Sequence, residues 1–583
     1  MSIFGSYLVT YYNNYNITLI CLFIISLIPI IVIYGRIPKY LYPFIIFVIA
    51  LSILFLVNLV STHLWSFDIF FEAYSTRIVL NNGVWIPDLR YKANSLLLIT
   101  ILAPIYSLIC GLSYVWVFKI IFPIIFAFTP VALYKLYQDY NLYVGDRNIR
   151  VDETIAFLSS LLFIFYYGFF KNMPDKQYIA ELFLALVLIS IINILKSKDY
   201  ANQTNTKVVL IMLTFSLVTT HYGVSYLLMI ALTLLIIFMY ALKYNNNLNL
   251  LKTYATFYAV LVLGWYIYVA SGNKYETIVS LIRHVVEKLV ELQTPIERSG
   301  ISYILYKGVH FSFIWIMFKL IHIILQVFIS IGILCSIIYL IKQKTTNKNT
   351  TFLFLELLSL IFYIFLLIQI RITYGMGFDR ILQITLTLLS PLALLGCIYI
   401  IKKIYLLIFK LPRNEEKFDR IINCSKKFFA LFLSIFILFN SGFIFKVCND
   451  LIPPYCIAVN KSAGWPVYAE GEVFSMIWLK SYGNPQYSVS AFNMWHIIKS
   501  RDGLLLSEFY PENEIIRVTP NRTGLPHGTY IFLGKTSIEK VKITGLSEFG
   551  GYIKLEDTRF YSAVIVKSQK IYDSSDAMIY LKE

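Results

Sequence analysis

Apolar runs of roughly 17 to 25 residues, the length a helix needs to cross a bilayer, recur from about Ile17 to about Lys446 and stop after Phe445. They predict spans near 17–34, 41–61, 116–137, 153–170, 177–195, 207–220, 222–242, 252–270, 312–341, 352–371, 381–404 and 427–446. The stretch from Ser95 to Leu112 is also long enough to cross, but counting it reverses every later loop. Loop charge arbitrates. If this stretch is a re-entrant or interfacial helix, nineteen Lys and Arg between Lys135 and Lys427 face the cytoplasm and nine between Lys171 and Arg380 face outward, as the positive-inside rule requires. Arg36 and Lys39 agree. The first run, Ile17 to Tyr34, has no Lys or Arg before it and no small-x-small cleavage site, so it reads as a retained span with its amino end outside.

This topology turns five segments outward: Ser61 to Asn94, Lys171 to Lys176, the turn at His221-Tyr-Gly223, Ser271 to Phe311, and Arg371 to Arg380. Everything after Phe445 joins them, and there the pattern changes to short β-rich runs between turn residues. Tyr487–Phe492, Gly503–Ser507, Thr529–Leu533 and Ser562–Val566 read as strands, Val473–Lys480 and Asn493–Lys499 as helices. The expected architecture is an α-helical polytopic membrane protein of about 12 transmembrane helices plus a re-entrant or interfacial helix, with a C-terminal extracytoplasmic α/β domain. The expected division is 1–446, with a first outer loop at 61–94, and 447–583.

Composition supports the membrane reading. Of 583 residues, 58% are hydrophobic and only 14% charged, whereas charged residues approach a quarter of a soluble protein. The formal charge of +17 is spread over short loops rather than gathered into a stripe with interleaved aromatics, which argues against nucleic acid. Five of the seven cysteines sit in or beside spans. Cys448 and Cys456 flank a short segment beyond the last one and suit either a disulfide or two free thiols.

The residues to explain are Asp68 and Glu72, in Ser61-Thr-His-Leu-Trp-Ser-Phe-Asp-Ile-Phe-Phe-Glu-Ala-Tyr74, directly after a span. Four apart, they share one face of a helix at the membrane edge, where acidic groups are costly to dehydrate and tend to be functional. One can act as general base on an acceptor hydroxyl while the other holds a divalent cation or raises the pKa of the first. The plain alternative is an interfacial salt bridge with Arg77 or Lys92.

Three outer segments carry further chemistry. Lys171-Asn-Met-Pro-Asp-Lys-Gln177 opens a span that holds Glu181, an intramembrane carboxylate that is either functional or bonded to a neighbouring helix. His221 joins two spans through a tight turn, as a ligand of substrate or as a cap. Arg371 and Arg380 bracket a loop with two glycines, suited to an anionic head group because guanidinium grips phosphate bidentately. No Walker loop, Gly-x-Ser-x-Gly, His-Glu-x-x-His or paired Cys-x-x-Cys is present.

The loop carrying Phe-Asp68-Ile-Phe-Phe-Glu72-Ala-Tyr and Asn81-Asn-Gly-Val-Trp-Ile-Pro87 resembles that of the multispan glycosyltransferases of the C-type fold. His221-Tyr222, Lys176-Gln177 with Ala180-Glu181-Leu-Phe183, Arg380 with Leu389-Ser-Pro391, and Ile571-Tyr-Asp573 with Ile579-Tyr580 resemble more narrowly an uncharacterised archaeal branch of that group. The resemblance implies inverting transfer of a sugar from a polyprenyl-phosphate donor to a lipid, glycan or protein acceptor at the outer membrane face. It implies Asp68 as catalytic base, Glu72 supporting it or sharing a divalent cation, and Lys176, Arg380, His221 and Tyr222 around the donor phosphate. The chain lacks the Trp-Trp-Asp-Tyr-Gly signature of the oligosaccharyltransferases, which favours single-sugar transfer. The rival reading is a lipid-linked glycan flippase or polysaccharide exporter without transferase activity.

Overall fold

The computed structural model describes residues 1–269, 312–342, 350–371, 377–409, 415–461, 467–492 and 501–583, apart from 36, 90–92, 145–146, 198, 245, 540 and 543–551. Among these, ten helical segments are long and apolar enough to cross a membrane: Asn16–Ile33, Lys39–Asn58, Tyr114–Tyr137, Lys176–Lys196, Tyr222–Ala241, Leu248–Val269, Phe313–Lys342, Thr350–Ile368, Phe378–Leu407 and Phe418–Asn440. The other two expected spans are helical but differ. At 153–170 the helix covers only Glu153–Phe165 and gives way to a 3-10 turn at Tyr167–Phe169. At 207–220 the helix is longer, Tyr200–Thr220, and its polar first turns lower its mean hydropathy. The stretch at 95–112 forms a π turn, Leu98–Leu102, running into an α-helix, Ala103–Cys110. At about 1.5 Å per residue it is roughly 20 Å long, short of the ~30 Å hydrocarbon core.

The chain folds as two compact units: Met1–Val60 with Ile120–Ala463, and Ser61–Lys119 with Gly464–Glu583. The loop expected to belong to the membrane domain is therefore part of the same unit as the C-terminal region.

In the first unit, aspartates start helices Glu153–Phe165 and Lys176–Lys196 as oxygen caps. Asp152 accepts from the Ile155 amide at 2.8 Å and Asp175 from the Gln177 amide at 2.9 Å, satisfying donors that a helix end leaves open. Helices Phe313–Lys342 and Phe378–Phe409 cross closely because both contribute glycine: a Cβ at Gly332 would lie 1.9 Å from the Leu392 carbonyl oxygen, and one at Gly396 1.9 Å from that of Phe328. Small residues at a crossing are how membrane helices gain packing contact without a hydrophobic driving force. The hydroxyls of Tyr137 and Tyr140 donate to the carbonyls of Leu386 and Leu388 at 3.0 and 3.1 Å, tying a neighbouring segment to the same long helix. Cys448 and Cys456 are separate thiols, and Cys456 Sγ points at the Asn440 carbonyl, 3.4 Å away.

In the second unit, helix Ile69–Asn82 ends at Gly83, whose φ of 68° makes the left-handed stop that glycine permits. A five-stranded mixed sheet runs in the order Ile515–Val518, Ser488–Phe492, Thr529–Gly534, Ala577–Lys582, Gln569–Asp573, with the first three strands parallel. The expected strands at 487–492 and 529–533 and the expected helix at 473–480 are present, the last as Glu470–Tyr482. Two assignments are overturned. Gly503–Ser507 lies in helix Arg501–Ser507, with Leu504, Leu505 and Leu506 all fully buried. An apolar run buried all round does not distinguish strand from helix by periodicity, and a parallel strand pair needs a crossover, which this segment supplies. Ser562–Val566 is the end of helix Arg559–Ala563 and a 3-10 turn, started by Thr558 accepting from the Tyr561 amide. The expected helix at 493–499 lies outside the described residues.

Candidate functional site

The acidic residues belong to the second unit. Asp68 immediately precedes helix Ile69–Asn82, and its carboxylate does not cap that helix. The Glu72 amide donates to the Asp68 carbonyl at 3.3 Å, the first helical turn, which sets both side chains on one face as their spacing predicts. Asp68 is half-buried and Glu72 fully buried. Two residues upstream, Ser66 has φ 89°, a left-handed conformation that a non-glycine residue adopts at a cost of about 1–3 kcal/mol. Such strain is held only where surrounding packing over-determines it, and Leu64, Trp65, Ile69 and Phe70 around it are essentially buried.

A polar network that the sequence did not disclose adjoins this segment in the chain. Glu508 is fully buried, one oxygen 2.8 Å from His63 Nε2 and the other accepting from the Tyr114 hydroxyl at 2.7 Å. Lys119 is fully buried and donates from Nζ to the His63 carbonyl at 3.0 Å. Arg77, expected as an ion-pair partner for the acids, donates to the Phe509 carbonyl at 2.8 Å and lies 4.5 Å above that ring. Lys92 and Arg90 lie outside the described residues. No local signal marks Glu508, because nothing near it in sequence is periodic or charged in a way that points to residue 63.

The expected phosphate ligands belong to the first unit. Lys176 is the first residue of helix Lys176–Lys196 and half-buried. Helix Tyr200–Thr220 follows after three residues, and His221 alone separates it from helix Tyr222–Ala241. The chain therefore returns, and the start of the third helix shares an end of the bundle with the start of the first. Arg380 opens helix Phe378–Phe409, and Lys171 donates to its neighbour Asp379 at 2.7 Å, which fixes that helix start at the same end. Arg380 is also within electrostatic reach of the Tyr178 hydroxyl. The loop at 271–311 and residues 372–376 lie outside the described residues.

His221 is the N-cap of its helix. Its Nδ1 accepts from the Val224 amide at 3.1 Å, so in the neutral ring the hydrogen sits on Nε2. The ring stacks on Tyr222 at 5.0 Å. Glu181 is fully buried and accepts from Gln177 Nε2 at 3.2 Å, the i to i+4 contact of one helix face.

As a metal site the acids offer two carboxylates. Among the described residues no group of three or more His, Cys, Asp and Glu side chains gathers where a metal ion would sit. Asp68 and Glu72 match part of the oxygen set that a hard cation takes.

The spans, the cation-bearing helix starts and the separate helix-and-sheet unit define a polytopic helical membrane protein. The chain belongs to the family described as predicted membrane protein (DUF2206), whose model matches residues 206–580. No curated protein matches the sequence. Among solved structures it is similar to the crystal structure of ArnT from Cupriavidus metallidurans in the apo state, with 10% identity and a TM-score of 0.46 over 92% of this chain and 97% of that one. It is also similar to the crystal structure of the same protein bound to undecaprenyl phosphate, with 11% identity, a TM-score of 0.48 and the same coverage.

Proposed function

We propose that this protein is a membrane glycosyltransferase of the C-type-fold group that moves a sugar from a polyprenyl-phosphate donor to a lipid, glycan or protein acceptor at the outer membrane face. The observation that carries the reading is that Lys176, His221 and Arg380 each lie at a helix start, with chain direction turning those starts to one end of the first unit. Helix N-termini carry partial positive charge. Two cations and an Nε2–H beside them make a setting for a phosphate that must leave with its charge. Tyr222, stacked on His221, shapes the same corner.

Asp68 takes the proton of the acceptor hydroxyl. Its carboxylate is half-buried and does not cap the helix, a partly dehydrated setting in which a carboxylate acts as a base. Glu72, fully buried one turn on, orients it. In an inverting transfer the hydroxyl oxygen bonds to the sugar's anomeric carbon as the bond to the phosphate oxygen breaks. The proton passes to the base, and the polyprenyl phosphate departs as an anion that cations stabilise.

Incubating the purified protein in lipid with polyprenyl-phosphate sugars, and following loss of donor and gain of glycosylated acceptor, tests the reading. Turnover lost in Asp68→Asn supports it. Donor binding without turnover under any acceptor would leave the flippase or exporter reading in its place.

A further inference from the structure

Helix Glu153–Phe165 stops short, and around the chain after it lie buried polar atoms that have no hydrogen-bond partner among the described residues. Six such atoms lie on five side chains: Glu181 Oε2, Gln383 Oε1 and Nε2, Asn440 Oδ1, Tyr455 Oη and His322 Nε2. Glu181 and Asn440 are fully buried, Gln383 is 1% exposed and Tyr455 9%. In a membrane bundle, where no bulk water reaches, an unpaired buried polar group is costly. Several around one short segment imply a polar occupant.

Contacts place these groups around residues 165–168. Asn440 Nδ2 donates to the Phe165 carbonyl at 3.0 Å, and the Tyr178 hydroxyl to that of Gly168 at 2.9 Å. The Tyr167 ring stacks on Tyr455 at 4.6 Å and meets His322 edge-on at 5.8 Å. Asn440 stands beside that imidazole without reaching hydrogen-bond geometry. A Cβ on Gly168 would lie 2.5 Å from the Tyr166 ring and 3.1 Å from Gln383 Oε1. Gln383 in turn stands beside Glu181, again short of a hydrogen bond.

We infer that the break after Phe165 lines a subsite for an uncharged sugar ring, read by Gln383, Asn440, Tyr455 and His322. This rests on the proposed donor and names its sugar as neutral. The unpaired atoms include both acceptors and donors, which suits hydroxyls that do both. A phosphate only accepts and would meet the Glu181 carboxyl. Of the cations near this cluster, Lys171 is held by Asp379 at 2.7 Å and Arg380 lies toward the Tyr178 hydroxyl. Amides and a phenol around such a ring fix its hydroxyls, as the few convergent polar groups of a small-molecule site do.

The test uses the full-length protein in lipid nanodiscs, with citronellyl phosphate and the same lipid phosphate esterified to glucose, galactose or mannose as probes. In the wild type at least one sugar-bearing probe binds about tenfold or more tighter than citronellyl phosphate. Gln383→Leu and Tyr455→Phe each erase that difference while binding citronellyl phosphate unchanged. Tyr455→Phe removes one oxygen, and thermal unfolding of both variants checks that the bundle is intact. Equal binding of bare and sugar-bearing probes in the wild type, or variants that keep the sugar preference, overturns the inference and leaves buried water as the occupant. Failure of the wild type to bind any of the probes overturns the proposed function as well.

Discussion

His63 Nε2 and Glu508 Oε2 lie 2.8 Å apart, joining the segment between two membrane spans to a residue 445 positions away in the C-terminal region. Because the other Glu508 oxygen takes the Tyr114 hydroxyl, removing the carboxyl leaves two buried groups unpaired at once. Glu508→Ala is expected to destabilise the second unit by about 1–3 kcal/mol or more, the cost of leaving buried hydrogen-bonding groups unsatisfied. Combining it with His63→Ala should cost less than the sum of the two single changes. Chemical unfolding of the purified protein measures this, and strict additivity would show that the two side chains do not interact.

Asp68→Asn is expected to lower transfer by roughly a hundred- to ten-thousand-fold, the worth of a general base, with donor binding and folding retained. Asparagine keeps the size and cannot accept the acceptor's proton. Glu72→Gln should be milder if it only orients Asp68, and comparably severe if the pair shares a cation that chelators also remove. Near-full turnover in Asp68→Asn would reduce the pair to an interfacial ion-pair element.

Arg380→Ala and Lys176→Ala are expected to weaken donor binding by roughly tenfold or more each, as loss of a charge-assisted hydrogen bond does. Arg380→Lys should fall between them and the wild type, because a point charge does not reproduce the bidentate fork. Donor titration reads this directly. Unchanged affinity in both alanine variants would move the phosphate elsewhere.

Glu472 predicts a pH dependence of stability. Burial pushes its carboxyl up to about 7 even though Arg501 pulls it the other way. A carboxyl raised in the folded state stabilises most below its unfolded value of about 4.3 and loses that contribution as pH rises toward 7. Its oxygens accept from the Ala469 and Lys535 amides and from Arg501. Glu472→Gln is therefore expected to lower the melting temperature overall yet flatten its decline between pH 5 and 8. Parallel melting curves for wild type and variant across that range would mean the carboxyl does not titrate there.

Single cysteines placed near Asp88 and near Arg501 are expected to react alike with an impermeant thiol reagent, and from outside intact cells. Both positions fall in the second unit, which predicts a shared side of the membrane, and the loop charges predict that this side is the exterior. Labelling of one without permeabilisation and of the other only after it would break the unit apart.

Local pattern accounts for what was legible in the sequence. Ten helices follow from apolar runs, because a lipid-crossing segment needs an unbroken apolar stretch and satisfies its own backbone. The i to i+4 relation of Asp68 and Glu72, and of Gln177 and Glu181, follows from helix geometry alone. Strands at 488–492 and 529–534 follow from composition. The run Gly503–Ser507 did not, since burial on every side erases the alternation that separates strand from helix.

What only the tertiary structure decided are the pairings between distant segments. Residues 61–119 join 464–583 rather than the spans that flank them. Lys171 finds Asp379 across 208 positions, and His63 finds Glu508 across 445. Each of these residues looks like an ordinary polar residue in its own neighbourhood. Hydrophobic periodicity fixes which face of an element is buried but not against which other element, and that choice is made by the packing and hydrogen-bond satisfaction of the whole chain.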